Sequence, residues 1–186
     1  MTNNIWQGSR IRLRAIEPPD WEAFHTWNLD TETARRLYFI PFPQSKENAQ
    51  RWAARTAQQE PENDQFFLVI ENLAGELVGS ISSHRCDRRQ GTFWYGIAVR
   101  PEHQRKGYAG EAIRLLLRYF FAELRYQKVN ASVYSFNEPS IRLHESLSFA
   151  LEGRLRRTIY TDGQFYDELL YGMTAEEFAA RYPPEE

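Results

Sequence analysis

One stretch constrains the chain more than any other: Ile97–Leu117, IAVRPEHQRKGYAGEAIRLLL. It reads as the end of a strand, a polar turn, and then a helix with apolar residues at 113, 116, 117, 120, 121 and 124. A stripe that wide must bury itself against a layer of other structure. A strand that feeds such a helix is the first half of a βαβ crossover. The turn between them, Gln104-Arg105-Lys106-Gly107-Tyr108-Ala109-Gly110, carries small residues at 107, 109 and 110. Small residues let a ligand approach the backbone closely. The unpaired N–H groups and positive dipole end of a helix start attract anions, and Arg105 and Lys106 add two cations. Physics alone therefore points to a phosphate or pyrophosphate cradle. Glycines that merely shape a strand-to-helix turn would read the same way. The stretch contains neither the Gly-Lys-Ser/Thr ending of a nucleotide P-loop nor G-x-G-x-x-G.

The rest of the chain supplies the layers. Arg10–Ile16 alternates basic and apolar residues, as a half-buried strand does. Pro18-Pro19-Asp20 starts a helix with Asp20 as its N-cap; Thr31–Phe39 and a segment capped by Ser45 give two more. Phe66–Ile70, Leu77–Arg85 and Thr92–Val99 read as strands, and the helix after the turn runs Ala109–Leu124. Val129–Tyr134 is a strand, Pro139 opens a helix ending near Leu147, and Phe149–Tyr160 and Phe165–Met173 are strands around the hairpin signal Asp162-Gly163. Thr174–Tyr182 closes the chain as a helix. Hairpins mixed with one crossover indicate an α+β fold. At 186 residues, with 42% hydrophobic and 26% charged residues, one domain over 1–186 is expected.

Net charge is −2 and there is no basic run, which argues against nucleic-acid binding. No apolar run suits a membrane span or a secretory signal, so a cytoplasmic location and no membrane partner are expected. The single cysteine, Cys86, excludes an intrachain disulfide and makes a cysteine zinc site unexpected; no metal is expected.

The run Q-R-K-G-Y-A resembles the Q/R-x-x-G-x-G/A motif of the GNAT acetyltransferase superfamily. RIRLRAIEPPDWEAF resembles the opening of its RimJ/RimL-type branch. NEPSIRLHESLSF is similar to that branch's second signature, and TIYTDGQFYDELLYGM to its final hairpin. Four motifs in the family's order cover nearly the whole chain. The resemblance implies a mixed, mostly antiparallel sheet of about seven strands flanked by helices. It also implies acetyl-CoA as co-substrate and a primary amine as acceptor. The backbone of Ile97, Ala98 and Val99 would hold the acetyl carbonyl and pantetheine arm. The loop Gln104, Arg105, Lys106, Gly107, Tyr108, Ala109 and Gly110 would hold the pyrophosphate, mainly through main-chain N–H groups. Asn137 would hydrogen-bond the pantetheine region, with Ser140 near the cofactor. Asn28, Asp30, Arg35 and Arg36 fall in the region that covers the acceptor. A homodimer is compatible with the resemblance, and the sequence leaves the assembly open.

Two positions depart from the family. Thr92–Val99 (TFWYGIAV) lacks the carboxylate that many relatives use as a general base. The Tyr that returns a proton to the CoA thiolate is replaced by His144. An imidazolium near pKa ~6.5 can protonate a thiolate of ~8.5; the alternative is a polar residue on a partly exposed helix face. Glu168, Asp167, His84 and Glu138 are the remaining bases. Of these Glu168 is the catalytic candidate, and Asp167 or Glu168 would otherwise pair with Arg154, Arg156 and Arg157. A polyamine or lysine ammonium at ~10.4 costs roughly 4.6 kcal/mol to deprotonate at pH 7, an α-amine at ~7.7–8.0 only about 1–1.4 kcal/mol. A strand without a base therefore favours a protein or peptide N-terminus over a polyamine or aminoglycoside. A catalytically weak acyl-CoA-binding module is the competing class. Trp21, Phe24 and Trp27 read as core before substrate platform, and His25 and His103 as solvated.

Overall fold

The alternation in the first strand is realised in β1, Ile11–Ala15, where Ile11 and Leu13 are buried and Arg12 points out. We describe a computed structural model, over residues 4–37 and 39–183. The remaining elements are α1 Trp21–Trp27, α2 Thr31–Leu37, α3 Lys46–Gln58, β2 Phe67–Asn72, β3 Leu77–Asp87, β4 Thr92–Val99 and α4 Tyr108–Arg118. They are followed by β5 Lys128–Tyr134, α5 Glu138–Ser146, β6 Ala150–Thr161, β7 Gln164–Thr174 and α6 Ala175–Arg181. The hydrogen-bonded strand order is β1-β2-β3-β4-β5-β7-β6. This seven-stranded, mostly antiparallel sheet with helices is the α+β fold expected. Among the described residues no helix is long and apolar enough to cross a membrane.

The residues fall into two compact units. The first unit is Met1–Ser83 with Gly96–Leu115. Here β1 pairs antiparallel with β2 from Ile11↔Asn72 to Ala15↔Leu68, and β2 pairs with β3. Ile16, Phe24, Ala53 and Val69 form a core against which Trp21, Trp27 and Trp52 pack. Glu71 is buried on β2 and receives Arg12 Nε at 2.6 Å and Arg14 Nε at 2.5 Å, so its charge is paired where burial would otherwise penalise it.

The second unit is His84–Tyr95 with Leu116–Glu186. The parallel β4–β5 ladder stops at Trp94↔Asn130, although β4 continues to Val99. β5 then pairs antiparallel with β7, and β7 with β6. Phe93 lies flat on Phe120 at 3.8 Å, with Tyr126 edge-on at 5.5 Å, in the middle of this unit's core.

Several expectations are corrected. Asp20 does not cap α1 through its side chain. Pro18 and Pro19 begin a 3₁₀ turn, Pro18–Asp20, so the carboxylate turns back to accept from Glu17 N at 2.8 Å and from Arg14. The second helix ends at Leu37; Tyr38 lies outside the described residues, and Phe39 stands beyond the helix, where Pro41 disfavours helical backbone before it. The long helix is α-helical only to Arg118 and then widens into a π-turn, Tyr119–Glu123, which carries the Phe120 ring that stacks on Phe93. Thr174 caps the last helix, which ends at Arg181. His103 is buried, with Nε2 3.4 Å from Glu76, and not solvated.

Candidate active site

In the first unit, β4 delivers the chain into the polar turn. Pro101–His103 makes a 3₁₀ turn, and Gln104 Nε2 returns to the Val99 carbonyl at 3.0 Å, tying the turn to the strand end. Arg105 (φ 63°) and Gly107 (φ 82°) are both left-handed, an alternation that turns successive N–H groups to one side. Glycine is required at 107 because L side chains rarely adopt that φ. The first helical bond of α4 is Glu111 N to Gly107 O at 3.1 Å. The N–H groups of Tyr108, Ala109 and Gly110 therefore have no partner within the helix, as at every helix start. Lys106 and Arg105 stand exposed beside them.

Three further residues shape this region, and none is signalled by local sequence. Glu111, buried in the first turn of α4, accepts from Ser9 N (2.6 Å), Ser9 Oγ (2.9 Å) and Arg10 N (3.1 Å). That grip places Arg10 so that a Cβ on Gly107 would overlap its Nη1. A third cation thus stands over the turn. On β3, a Cβ on Gly79 would overlap the Ala98 carbonyl oxygen, so glycine there permits the course of Ala98–Val99.

Beside Ala98 and Val99 the first unit carries a half-open cavity of about 300 Å³. Its walls include Phe24, Trp27, Trp52 and Phe67. Phe24 lies 4.8 Å from Trp27, 5.1 Å from Trp52 and 5.7 Å from Phe67, all edge-on. The aromatic residues are therefore both core and cavity wall. Asn28 and Asp30 line the cavity; Arg35 instead pairs with Glu32 at 3.6 Å, and neither Arg35 nor Arg36 lines it. Asp30 accepts from Thr33 N at 3.1 Å and from Thr33 Oγ1 at 2.5 Å, which holds its carboxyl below the usual range. Arg100 also lines the cavity, stacked on Trp27 at 4.5 Å.

In the second unit, His144 is 3% exposed, not partly exposed. Its Nδ1 lies 2.7 Å from the Ser140 carbonyl, which can only accept, so Nδ1 carries the hydrogen. Nε2 lies 2.7 Å from the Tyr95 hydroxyl, which then donates to it. Phe149 and Tyr171 pack at 5.1 and 5.4 Å. Burial pushes the imidazole below its ordinary pKa, against the Ser140 hydrogen bond, and pushes the Tyr95 phenol up. The resting pair is neutral. Asn137 caps α5, its Oδ1 accepting from Ser140 N at 3.3 Å. Ser148 follows the helix at φ 68°, with Phe149 N on the His144 carbonyl.

Of the candidate bases, Asp167 accepts from Arg154 Nε at 2.6 Å and Arg157 N at 2.8 Å, which hold it low; it is spent on the arginine cluster. Glu138 faces Arg142 at 3.3 Å. Glu168 on β7 meets the Ser132 hydroxyl of β5. His84 is half-buried, and burial followed by Arg85 lowers its pKa. No group of three or more His, Cys, Asp or Glu suited to a metal occurs among the described residues.

Residues 10–150 match the Acetyltransferase (GNAT) domain family. The uncharacterized N-acetyltransferase YokL, derived from the SPbeta prophage in Bacillus subtilis (strain 168), is 44% identical over 178 residues, covering 96% of this chain and 97% of that one. A spermidine N(1)-acetyltransferase of Vibrio cholerae is 25% identical over 159 residues, covering 86% and 90%. Among solved structures, a GNAT-family acetyltransferase from Bacillus anthracis superposes with a TM-score of 0.77 at 25% identity, covering 92% of this chain and 98% of that one. Spermidine N-acetyltransferase from Vibrio cholerae in complex with CoA and spermine superposes at 0.79 and 22% identity, covering 92% and 99%, a likeness of fold.

Proposed function

Because this chain belongs to the acetyltransferase (GNAT) family, we propose that it transfers the acetyl group of acetyl-CoA to a primary α-amine by direct attack in a ternary complex. The observation that carries the reading is the turn at 104–110. Three N–H groups at the start of α4, left-handed Arg105 and Gly107, and the cations Arg10, Arg105 and Lys106 converge there. That donor set suits a pyrophosphate. Immediately before it in the chain, Ile97–Val99 would hold the thioester, and Asn137 and Ser140 would contribute to the pantetheine region.

The chemistry follows from the acceptor. A neutral amine attacks the thioester carbonyl carbon; the C–N bond forms, the C–S bond breaks, and CoA leaves as a thiolate. Glu168 takes the proton the amine loses. His144, once protonated, is the source of the proton returned to the thiolate, relayed by the Tyr95 hydroxyl on its Nε2: the phenol oxygen takes the imidazolium proton as its own passes to the sulfur. A buried imidazolium is scarce at neutral pH, so a rate that depends on it falls with rising pH from below the ordinary imidazole value. The absence of a carboxylate on β4 supports an α-amine over a more basic amine, as does the resemblance to the RimJ/RimL-type branch.

The test is calorimetric titration of CoA into wild type and Gly107→Val, with release of free thiol measured against a panel of amines. Valine at φ 82° and against Arg10 should weaken CoA binding at least tenfold. Equal affinity in both proteins would refute the turn as the cofactor site. His144→Ala should lower kcat by ~10²–10⁴ with little change in acetyl-CoA affinity; wild-type kcat would assign the proton to solvent.

A further inference from the structure

The cavity beside Ala98 and Val99 has a chemistry of its own, and from it we infer the acceptor class: an α-amine whose adjacent side chain is aromatic, presented by a short peptide or an amino-acid amide. The inference rests on the transferase reading above, which places the thioester at Ile97–Val99.

The walls decide the body of the ligand. Trp27, Trp52 and Phe67 each line the cavity within about 6 Å of the Phe24 ring, and Trp52 lies as close to Phe67. Rings prefer edge-to-face partners at such spacings, and a flat guest joins the cluster without disturbing it. About 300 Å³ equals the share of roughly ten waters, enough for one indole or phenyl side chain and its amine, not for a folded segment.

Charge decides the head group. Among the described residues that line the cavity, the carboxylate is Asp30 and the guanidinium is Arg100, with His25 beside them. Asp30 and Arg100 offset each other, and Asp30 already accepts two hydrogen bonds from Thr33. A single ammonium can approach Asp30. The additional ammonium groups of a polyamine would find no second carboxylate among the described lining residues and would meet the like charge of Arg100, and desolvating unpaired charges is costly. An α-amine also needs the least help to lose its proton, which suits a β4 with no carboxylate. The lining therefore offers a polyamine little charge to pair with, although relatives bear spermidine in their names.

The experiment measures kcat/KM by thiol release, with product mass as confirmation. The acceptors are tripeptide amides beginning with Phe, Trp, Leu, Ser or Asp, phenylalanine amide, and spermidine. Aromatic-first peptides should exceed Ser-first by roughly 100-fold, since each added methylene-sized contact in such a pocket is worth 10-fold or more. Spermidine should rank last. Comparison of phenylalanine amide with the Phe-first peptide separates a small-molecule source from a peptide one. Ala34→Trp, which fills the cavity from half-buried α2, should cut the Phe-first rate at least tenfold and erase the preference while CoA affinity holds. Preferred turnover of Ser-first peptide, or an aromatic preference that survives Ala34→Trp, overturns the inference and leaves the transferase reading intact; preferred turnover of spermidine overturns the inference and the α-amine acceptor together and leaves acetyl transfer from CoA. Binding of acetyl-CoA with no acceptor draining it overturns both.

Discussion

Replacing His144 by Phe tests the buried pair by stability alone, before any acceptor is known. Phenylalanine keeps the aromatic packing with Phe149 and Tyr171 but accepts nothing from the Tyr95 hydroxyl and donates nothing to the Ser140 carbonyl. Tyr95 is 5% exposed, so its hydroxyl finds no water in exchange. An orphaned buried donor costs about 1–3 kcal/mol and the second lost bond about 1 kcal/mol, giving a destabilisation of roughly 2–4 kcal/mol at pH 8. Adding Tyr95→Phe removes the orphan and should return about 1–3 kcal/mol, because apolar replacement of both partners is nearly neutral. The pH dependence has a definite sign. Burial lowers the folded pKa of His144 below that of the unfolded chain. Above pH ~6.5 neither state holds the extra proton and the group contributes no slope. Below it the unfolded chain is protonated first, so wild type loses stability as pH falls, by at most about 1.4 kcal/mol per pH unit until the folded pKa is reached. Phenylalanine has no such loss, so the gap between the two proteins should narrow from pH 7 to pH 5.5. His84 titrates in the same direction and cancels in the difference. Urea unfolding followed by tryptophan fluorescence at several pH values measures all of this. A gap that is constant or widens in acid, or a Tyr95→Phe change as costly in the variant as in wild type, would refute the hydrogen-bonded neutral pair.

Three further outcomes are expected. Ser148→Gly should raise Tm by about 1–4 °C. Relief of a left-handed residue at φ 68° gains roughly 1–2 kcal/mol, and the greater freedom of unfolded glycine returns about 0.4–1 kcal/mol; a fall in Tm in calorimetry would refute this helix end. Gly79→Ala should cost about 1–3 kcal/mol, because the new methyl meets the Ala98 backbone rather than a movable side chain. It should also lower kcat more than it raises the Kd for CoA; an unchanged rate with unchanged Tm would show that Ala98–Val99 tolerates displacement. Arg10→Ala should weaken CoA binding severalfold at low salt and less at high salt, as expected for an exposed cation beside a phosphate; a salt-independent or absent effect would remove Arg10 from the site.

What the sequence by itself determined is local. The strand-turn-helix at 97–117, the apolar stripe of α4, the Ser45 cap and the Asp162-Gly163 hairpin are each written within a few consecutive residues, because φ restrictions, capping and periodicity act over one or two turns. The order of strands and helices followed from them, and so did the cationic, glycine-containing character of the turn. The boundaries that moved did so where a side chain found a partner outside its own element, as Asp20 does with Arg14 of β1, or where the aromatic stack at Phe93 accompanies the π-turn. Only tertiary structure decided what His144 is. An imidazole on a helix of polar residues reads as a surface group until Tyr95, 49 positions earlier, meets Nε2 and Phe149 and Tyr171 exclude water. The same holds for Arg10 over Gly107, for Gly79 under Ala98, and for a cavity whose walls come from α1, α2, α3, β2 and β4. Periodicity says which face of an element is buried, but burial against what, and with which polar atom in reach, is set by packing among segments that share no local signal.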